Sequence, residues 1–178
     1  MAAPTVMCCL ALSAILVQAQ DTSGQKMDQG SSRMMKSADT AFAIRAAHGG
    51  VAEVQMGKLA AGKATSPDVK AFGQQMAADH TKANDELKSV AEKKGMTLPS
   101  DMNVRQHAMY SKLQTLSGAA FNRAYVRDMV KDHQQDVKEF QKEAKTGKDE
   151  EFKGFASRTL PVLQEHLEKI KSIHSNMQ

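Results

Sequence analysis

The sequence lacks the features that most nucleic-acid-binding proteins use for recognition. It has no tryptophan, only two tyrosines and six phenylalanines, whereas base stacking needs aromatic side chains and backbone binding needs a stripe of Lys and Arg. Acidic and basic residues are interspersed, the net charge is only +4, and no block of five like charges occurs. We therefore expect no nucleic-acid partner.

Charged side chains are absent from the first 20 residues, and the only two cysteines, Cys8 and Cys9, lie there. The apolar run VMCCLALSAILV covers residues 6–17 and precedes small residues, which predicts a signal peptide over residues 1–19, cleaved after Ala19. Its N-terminal part has no Lys or Arg. A retained membrane anchor is the less favoured alternative, because the run is short for a bilayer span.

The predicted mature chain has no thiol and no other run apolar enough to cross a membrane. It can therefore enter an oxidising compartment without forming disulfides. These features predict an exported protein of the periplasm or cell envelope, with a further envelope protein as the kind of partner to expect.

Residues 20–36 are polar and contain Gly and Ser, which is typical of a flexible linker. From residue 37 onward, apolar residues recur every three or four positions, and no segment alternates with period two. This pattern predicts a single helical domain over residues 37–178. Its predicted helices cover residues 38–64, 67–94, 102–116, 119–145 and 150–175, the third being much shorter than the rest.

Four of these helices are about 40 Å long at 1.5 Å per residue, and none can bury its apolar stripe alone. Short turns join the first long helix to the second and the third long helix to the fourth, which makes each pair antiparallel. The connection between the pairs has about 23 residues, enough to return along a bundle as in ferritin-like proteins. The fold prediction is an all-α, ferritin-like four-helix bundle with an extra short helix in its long connection. Gly49 and Gly50 are predicted to allow close approach of a neighbouring helix.

Four ionisable residues occupy positions where a core residue is expected. His80, His133 and His166 each lie in the middle of an apolar helix stripe, and Glu53 holds the corresponding position on the first helix. All four are near the midpoints of their helices, so a bundle brings them into one layer. Imidazole and carboxylate groups suit zinc, iron, copper, nickel or manganese, so the layer is a candidate metal site.

The alternative is a buried hydrogen-bonded layer in which Glu53 pairs with one or more imidazoles and fixes helix register. Both interpretations stay open, because a buried carboxylate needs a partner in either case. The acids that precede the histidines, Asp79, Asp132 and Glu165, either orient the imidazoles or are solvated flank charges. Met76 and Met129, one turn before two of the histidines, are either soft ligands suited to copper or ordinary core residues.

No sequence pattern requires catalysis. There is no cysteine after cleavage, no G-x-S-x-G, no glycine-rich phosphate loop and no H-E-x-x-H. The remaining histidines, His48, His107 and His174, fall away from the apolar stripes and are predicted to face solvent. The sequence thus favours a binding or structural protein over an enzyme.

Several motifs occur in a characteristic order: EVQMGKLA, VKAFGQQMAADH, LSGAAF with YVRDMVKDH, and LPVLQEH. Over about residues 39–173 they resemble the bacterial exported family known as domain of unknown function 4142, whose members often carry an outer-membrane-protein label. The resemblance implies a ferritin-like fold and export, without an established activity. Ferritin-type di-iron sites use Glu-x-x-His, whereas Ala77, Val130 and Leu163 stand three residues before the histidines here. This departure argues against a ferroxidase and favours a mononuclear site or none.

Two functions follow from the sequence. The first is a transition-metal-binding bundle acting in envelope stress or metal handling. The second is a structural or interaction module in which the Glu/His layer is only a hydrogen-bonded network.

Overall fold

The computed structural model describes the backbone of residues 23–177 and the side chains of residues 38–177. The predicted signal peptide, residues 1–19, lies outside the described residues. Over the described part the chain is all helical and has no strand, which confirms the predicted fold class. Its five helices are α1 (Ser23–Lys63), α2 (Pro67–Lys93), α3 (Val104–Thr115), α4 (Gly118–Thr146) and α5 (Glu150–Ser175).

The first helix begins earlier than the sequence pattern predicts. Residues 23–36, which the sequence predicted as part of a flexible linker, form the N-terminal part of α1, so the predicted helix start at residue 38 is wrong. The segment contains Gln, Lys, Arg and Met, which have good helix propensity, and no proline. Extending an existing helix costs much less than starting one.

The other helix starts follow local capping chemistry. Ser66 accepts a hydrogen bond from the backbone N–H of Val69, with Pro67 at the first helical position of α2. Asn103 and Gln106 form a reciprocal capping box, with hydrogen bonds of 2.8 and 3.0 Å, that starts α3. Asp149 accepts from the first turn of α5. Helix α3 is the extra short helix predicted in the long connection, and this prediction is confirmed.

Contacts at the helix ends establish the topology. Asp39, in α1, accepts hydrogen bonds from the backbone N–H groups of Lys148 and Asp149, in the turn from α4 to α5. Thr65, just after α1, pairs with Asn122 in the first turns of α4. Helix α1 therefore runs antiparallel to α4.

Helices α2 and α5 are antiparallel as well. Gln75, early in α2, meets Lys169 late in α5, while Glu86, late in α2, meets Arg158 early in α5. With one long connection between two antiparallel pairs, this is the ferritin-like arrangement.

Two glycines let α1 and α2 approach closely. A Cβ atom added to Gly73 would lie 2.7 Å from the carbonyl oxygen of Gly57, and one added to Gly57 would lie 2.7 Å from that of Gly73. The sequence predicted the close approach at Gly49 and Gly50. A Cβ atom added to Gly50 would meet the side chain of Asn84, whereas nothing lies within 4 Å of one added to Gly49. Among the described glycines of these two helices, the close approach of backbone to backbone is thus at Gly57 and Gly73.

The core has two apolar clusters. One contains Phe72, Met76, Tyr125, Met129 and Ile170, with other residues. The second contains Phe42, Leu87, Phe140, Phe155 and Leu163, among others. None of the described helices is long and apolar enough to cross a membrane.

Candidate metal centre

The four residues singled out by the sequence meet between the two apolar clusters. Glu53 comes from α1, His80 from α2, His133 from α4 and His166 from α5. Their residues are 3%, 5%, 0% and 0% exposed, so the whole group is withdrawn from solvent. The three imidazole ring centres are 5.4 to 5.9 Å apart.

Helix register places each of these side chains. His80 and His133 follow the buried residues Met76 and Met129 by four positions, and residues four apart lie on one helix face. Phe72 packs edge-on against the rings of His133 and His166, at centroid distances of 6.3 and 6.1 Å. This apolar packing restricts the orientation of the imidazoles.

Two imidazoles have their tautomer set by a protein acceptor. Nδ1 of His133 lies 3.1 Å from the carbonyl oxygen of Met129, which can only accept, so Nδ1 carries the proton. Nε2 of His166 lies 3.0 Å from Oδ2 of Asp79, and that contact lowers the pKa of the Asp79 carboxyl despite its partial burial. Nε2 of His166 therefore donates, and its Nδ1 carries the lone pair.

His80 is held by Glu53. Nδ1 of His80 lies 2.8 Å from Oε2 of Glu53. When Nδ1 donates to this carboxylate, Nε2 of His80 carries the lone pair. One ring nitrogen of each histidine is thus occupied by a protein group, and the other has no hydrogen-bond partner among the described residues: Nε2 of His80, Nε2 of His133 and Nδ1 of His166.

The surroundings keep the imidazoles uncharged at neutral pH. Burial lowers the pKa of His80 to about 4. Burial, together with repulsion from the other two histidines, lowers the pKa of His133 to about 3. The pKa of His166 is also lowered, mainly by burial, although Asp79 opposes the shift. Neutral imidazole is the form that binds metal ions.

Glu53 and His133 face each other with acceptor atoms. Oε1 of Glu53 lies 3.5 Å from Nε2 of His133, and neither atom has a hydrogen-bond partner within the part of the chain that the structure describes. Since Nδ1 of His133 holds that ring's proton, two lone pairs meet in a buried site. Such a contact is repulsive unless a proton or a cation lies between the atoms.

Asp136 is a site residue that the sequence analysis missed. It lies one helical turn after His133, its carboxyl group lies close to that of Glu53, and its Oδ2 is buried with no hydrogen-bond partner among the described residues. Burial and the charge of Glu53 raise the pKa of Asp136 well above its usual range, and burial and the charge of Asp132 do the same for Glu53. The spacing His133-x-x-Asp136 was the available signal, because residues three apart are neighbours on a helix.

Tyr125 was also missed. It is fully buried, its hydroxyl has no partner among the described residues, and burial together with the charge of Glu53 raises its pKa. Its ring packs in the apolar cluster against Phe72, and an aromatic residue in such a stripe looks like ordinary core from sequence.

The flanking residues named from the sequence have different positions. Asp79 contacts the imidazole of His166 on α5. It does not orient His80, the residue that follows it in the sequence. The charge of Asp132 acts to raise the pKa values of Glu53 and His80, but no hydrogen bond joins Asp132 to an imidazole among the described residues. Glu165 is exposed to solvent. Met76 and Met129 are fully buried in the apolar cluster. Their role as soft ligands stays a prediction.

The remaining histidines lie outside this group. His107 is exposed and pairs with Asp101, whose backbone oxygen also contacts His48. His48 and His174 are partly exposed.

The donor set fits a transition-metal ion. One ligand atom from each of His80, His133 and His166 lies within 4.8 Å of the others. Three nitrogens that bind one tetrahedral ion at about 2.1 Å lie about 3.4 Å apart, so these separations would have to shorten by up to about 1.4 Å for all three to contact one ion. Three imidazoles with a neighbouring carboxylate suit zinc, iron, copper or manganese.

A family model described as "Domain of unknown function (DUF4142)" matches residues 24–173. The chain belongs to this family. No curated protein and no solved structure matches it. The DUF4142 match covers all four helices that supply the Glu/His layer, so the layer is part of the family domain and not of an added segment.

Proposed function

We propose that this DUF4142 protein binds one transition-metal ion in the middle of its helical bundle. The proposed ligands are His80, His133 and His166, with Glu53 as the carboxylate ligand. Zinc, iron, copper and manganese are the ions that this donor set suits.

The observation that carries the proposal is the set of unpaired ring nitrogens. Three neutral, buried imidazoles from three helices each keep one nitrogen that no described residue pairs with, and Oε1 of Glu53 faces one of them. Buried polar atoms are nearly always satisfied, so such a group needs a further partner. A metal ion satisfies all of these atoms together.

A purely structural layer is the second candidate, and one contact favours it. Oε2 of Glu53 lies 2.8 Å from His80, as a hydrogen-bonded network requires. That contact accounts for one nitrogen of one histidine. A protonated Glu53 would also satisfy Nε2 of His133. Nε2 of His80 and Nδ1 of His166 would still have no partner among the described residues in a structural layer, so metal binding is the better account.

Elemental analysis tests the proposal. Protein is purified without a histidine tag, dialysed, and measured for metal per chain beside a double variant, His80→Ala with His133→Ala, whose fold is checked by circular dichroism. We expect about one ion per wild-type chain and a loss of that ion in the folded variant. A metal-free wild type whose melting temperature is unchanged by added zinc, copper, iron or manganese would contradict the proposal.

We further propose that the mature protein acts in the periplasm or cell envelope, in stress protection or metal handling. The predicted signal peptide and the absence of cysteine after Ala19 support export. Intact mass of protein recovered from the envelope fraction of an expressing bacterium should correspond to a chain that begins at Gln20. Recovery of the full-length chain in the cytoplasm alone would contradict export.

A further inference from the structure

A second group of potential ligands overlaps the histidine triad. One ligand atom from each of Glu53, His133 and Asp136 lies within 4.8 Å of the others. Three buried atoms have no hydrogen-bond partner among residues 38–177: Oε1 of Glu53, Nε2 of His133 and Oδ2 of Asp136. These atoms form a second set of possible ligands, two carboxylate oxygens and one imidazole nitrogen, which shares only His133 with the three imidazoles.

Two of the three members of this second group, Glu53 and Asp136, line a small cavity whose other walls include partly exposed residues. A small cavity of about 20 Å³ has Glu53 and His80 at its buried wall and Asp136 beside them. Its other lining residues include the partly exposed Ala46, Gly49, Ala83 and Asn84, between α1 and α2. His133 and His166, by contrast, do not line it. A volume of this size holds about one water molecule or ion.

The two groups cannot hold two ions at once. Both use His133, and only one nitrogen of that ring is available because the other donates to the carbonyl of Met129. A single ring nitrogen binds one metal ion. The two groups are therefore alternative positions for one ion. His133 is common to both, and Glu53 joins the three histidines as the carboxylate ligand of the proposed site.

We infer that Glu53, His133 and Asp136 form an outer entry position, at which a divalent transition-metal ion binds before it moves to the three histidines. This inference rests on the proposed metal site. Asp136 supplies an oxygen ligand on the cavity side, and the ion then exchanges that oxygen for His80 and His166 while it keeps Glu53 and His133. Asp136 acts on entry and is absent from the final ligand set.

Stopped-flow uptake of Co²⁺, followed by its visible absorption, tests the inference. Asp136→Asn should slow uptake about tenfold or more, with the final ratio still one ion per chain and the Kd nearly unchanged. Asp128→Asn is the matched control, because it removes a carboxylate of the same kind about two turns earlier on α4. Asp128 pairs with Arg127 and belongs to neither ligand group, so this variant should keep the wild-type rate. An Asp136→Asn rate equal to that of wild type would overturn the inference.

Equilibrium binding in a second background isolates the outer position. His166→Ala breaks the histidine triad but should still bind one Co²⁺ weakly, and adding Asp136→Asn should abolish that binding. Binding that persists in the double variant would overturn the inference. Should Asp136→Asn not fold, Ala83→Val narrows the cavity without changing a ligand and should slow uptake in the same way.

The outcomes separate this inference from the proposed function. Wild-type protein that takes up no Co²⁺ refutes both. Wild-type protein that binds one ion, with a rate independent of Asp136 and Ala83, leaves the metal site in place and refutes the entry position.

Discussion

At the scale of single residues, the site depends on which nitrogen of each histidine is already used. His133 is oriented by a backbone carbonyl of its own helix, and His166 by Asp79 across the α2–α5 interface. Each contact fixes a tautomer and leaves one ring nitrogen with a free lone pair. Such orienting partners commonly change metal affinity as strongly as the ligands around them.

The contact between Asp79 and His166 gives a direct prediction. Asp79→Asn should weaken metal affinity about 10- to 100-fold, because a neutral amide holds the donating Nε2 of His166 less strongly. Competition with a chelator of known affinity measures the change. Glu165→Gln is the control, since Glu165 is exposed beside His166 and its substitution should leave affinity within about twofold. Equal losses of metal affinity in the two variants would show that the affinity depends only on the net negative charge near the site, and not on the contact between Asp79 and His166.

The sequence predicted the four central residues because their register alone identifies them. An ionisable residue between apolar neighbours three or four positions away must face the core of a bundle, whatever the detailed packing. Asp136 escaped this logic because it lies at the edge of its helix stripe and is only partly buried. Its role depends on its proximity to Glu53 on another helix. The choice of His166 as the partner of Asp79 likewise depends on how α2 and α5 pack.

At the scale of helices, the close approach of α1 and α2 holds Glu53 and His80 together. These residues come from the two helices that meet at Gly57 and Gly73, where a Cβ would lie 2.7 Å from a backbone oxygen. Sequence alone marked Gly49 and Gly50 instead, because composition shows where a close approach is allowed and only packing shows where it occurs. The helix bounds were predicted well where a cap is present, and poorly at the start of α1.

Gly73→Ala should therefore separate α1 from α2. The added methyl group meets backbone atoms that cannot rotate away, and we expect the free energy of unfolding to fall by roughly 1–3 kcal/mol. Urea denaturation of the metal-free protein measures this loss. The matched substitution Gly62→Ala has nothing within 4 Å and should be neutral or slightly stabilising. Unchanged stability in Gly73→Ala would contradict the tight crossing.

At the scale of the whole molecule, a polar layer separates two apolar clusters in a bundle with a ferritin-like path. Each of the four long helices contributes one residue to that layer. An ion bound there would connect all four helices. Since it binds the folded chain in preference to the unfolded one, it should add about 2.7 kcal/mol of stability at a free concentration 100 times the Kd. The layer is thus both the proposed binding site and a link across the bundle.

X-ray absorption spectroscopy of the protein loaded with one equivalent of zinc tests the central claim most directly. The account predicts a shell at about 2.0–2.2 Å that fits three imidazole nitrogens and a carboxylate oxygen, with the outer scattering of imidazole rings. Replacing His133 by Ala should remove that signature. A first shell with fewer than two imidazoles, or one dominated by sulfur or by water oxygens, would contradict a metal centre built from Glu53, His80, His133 and His166.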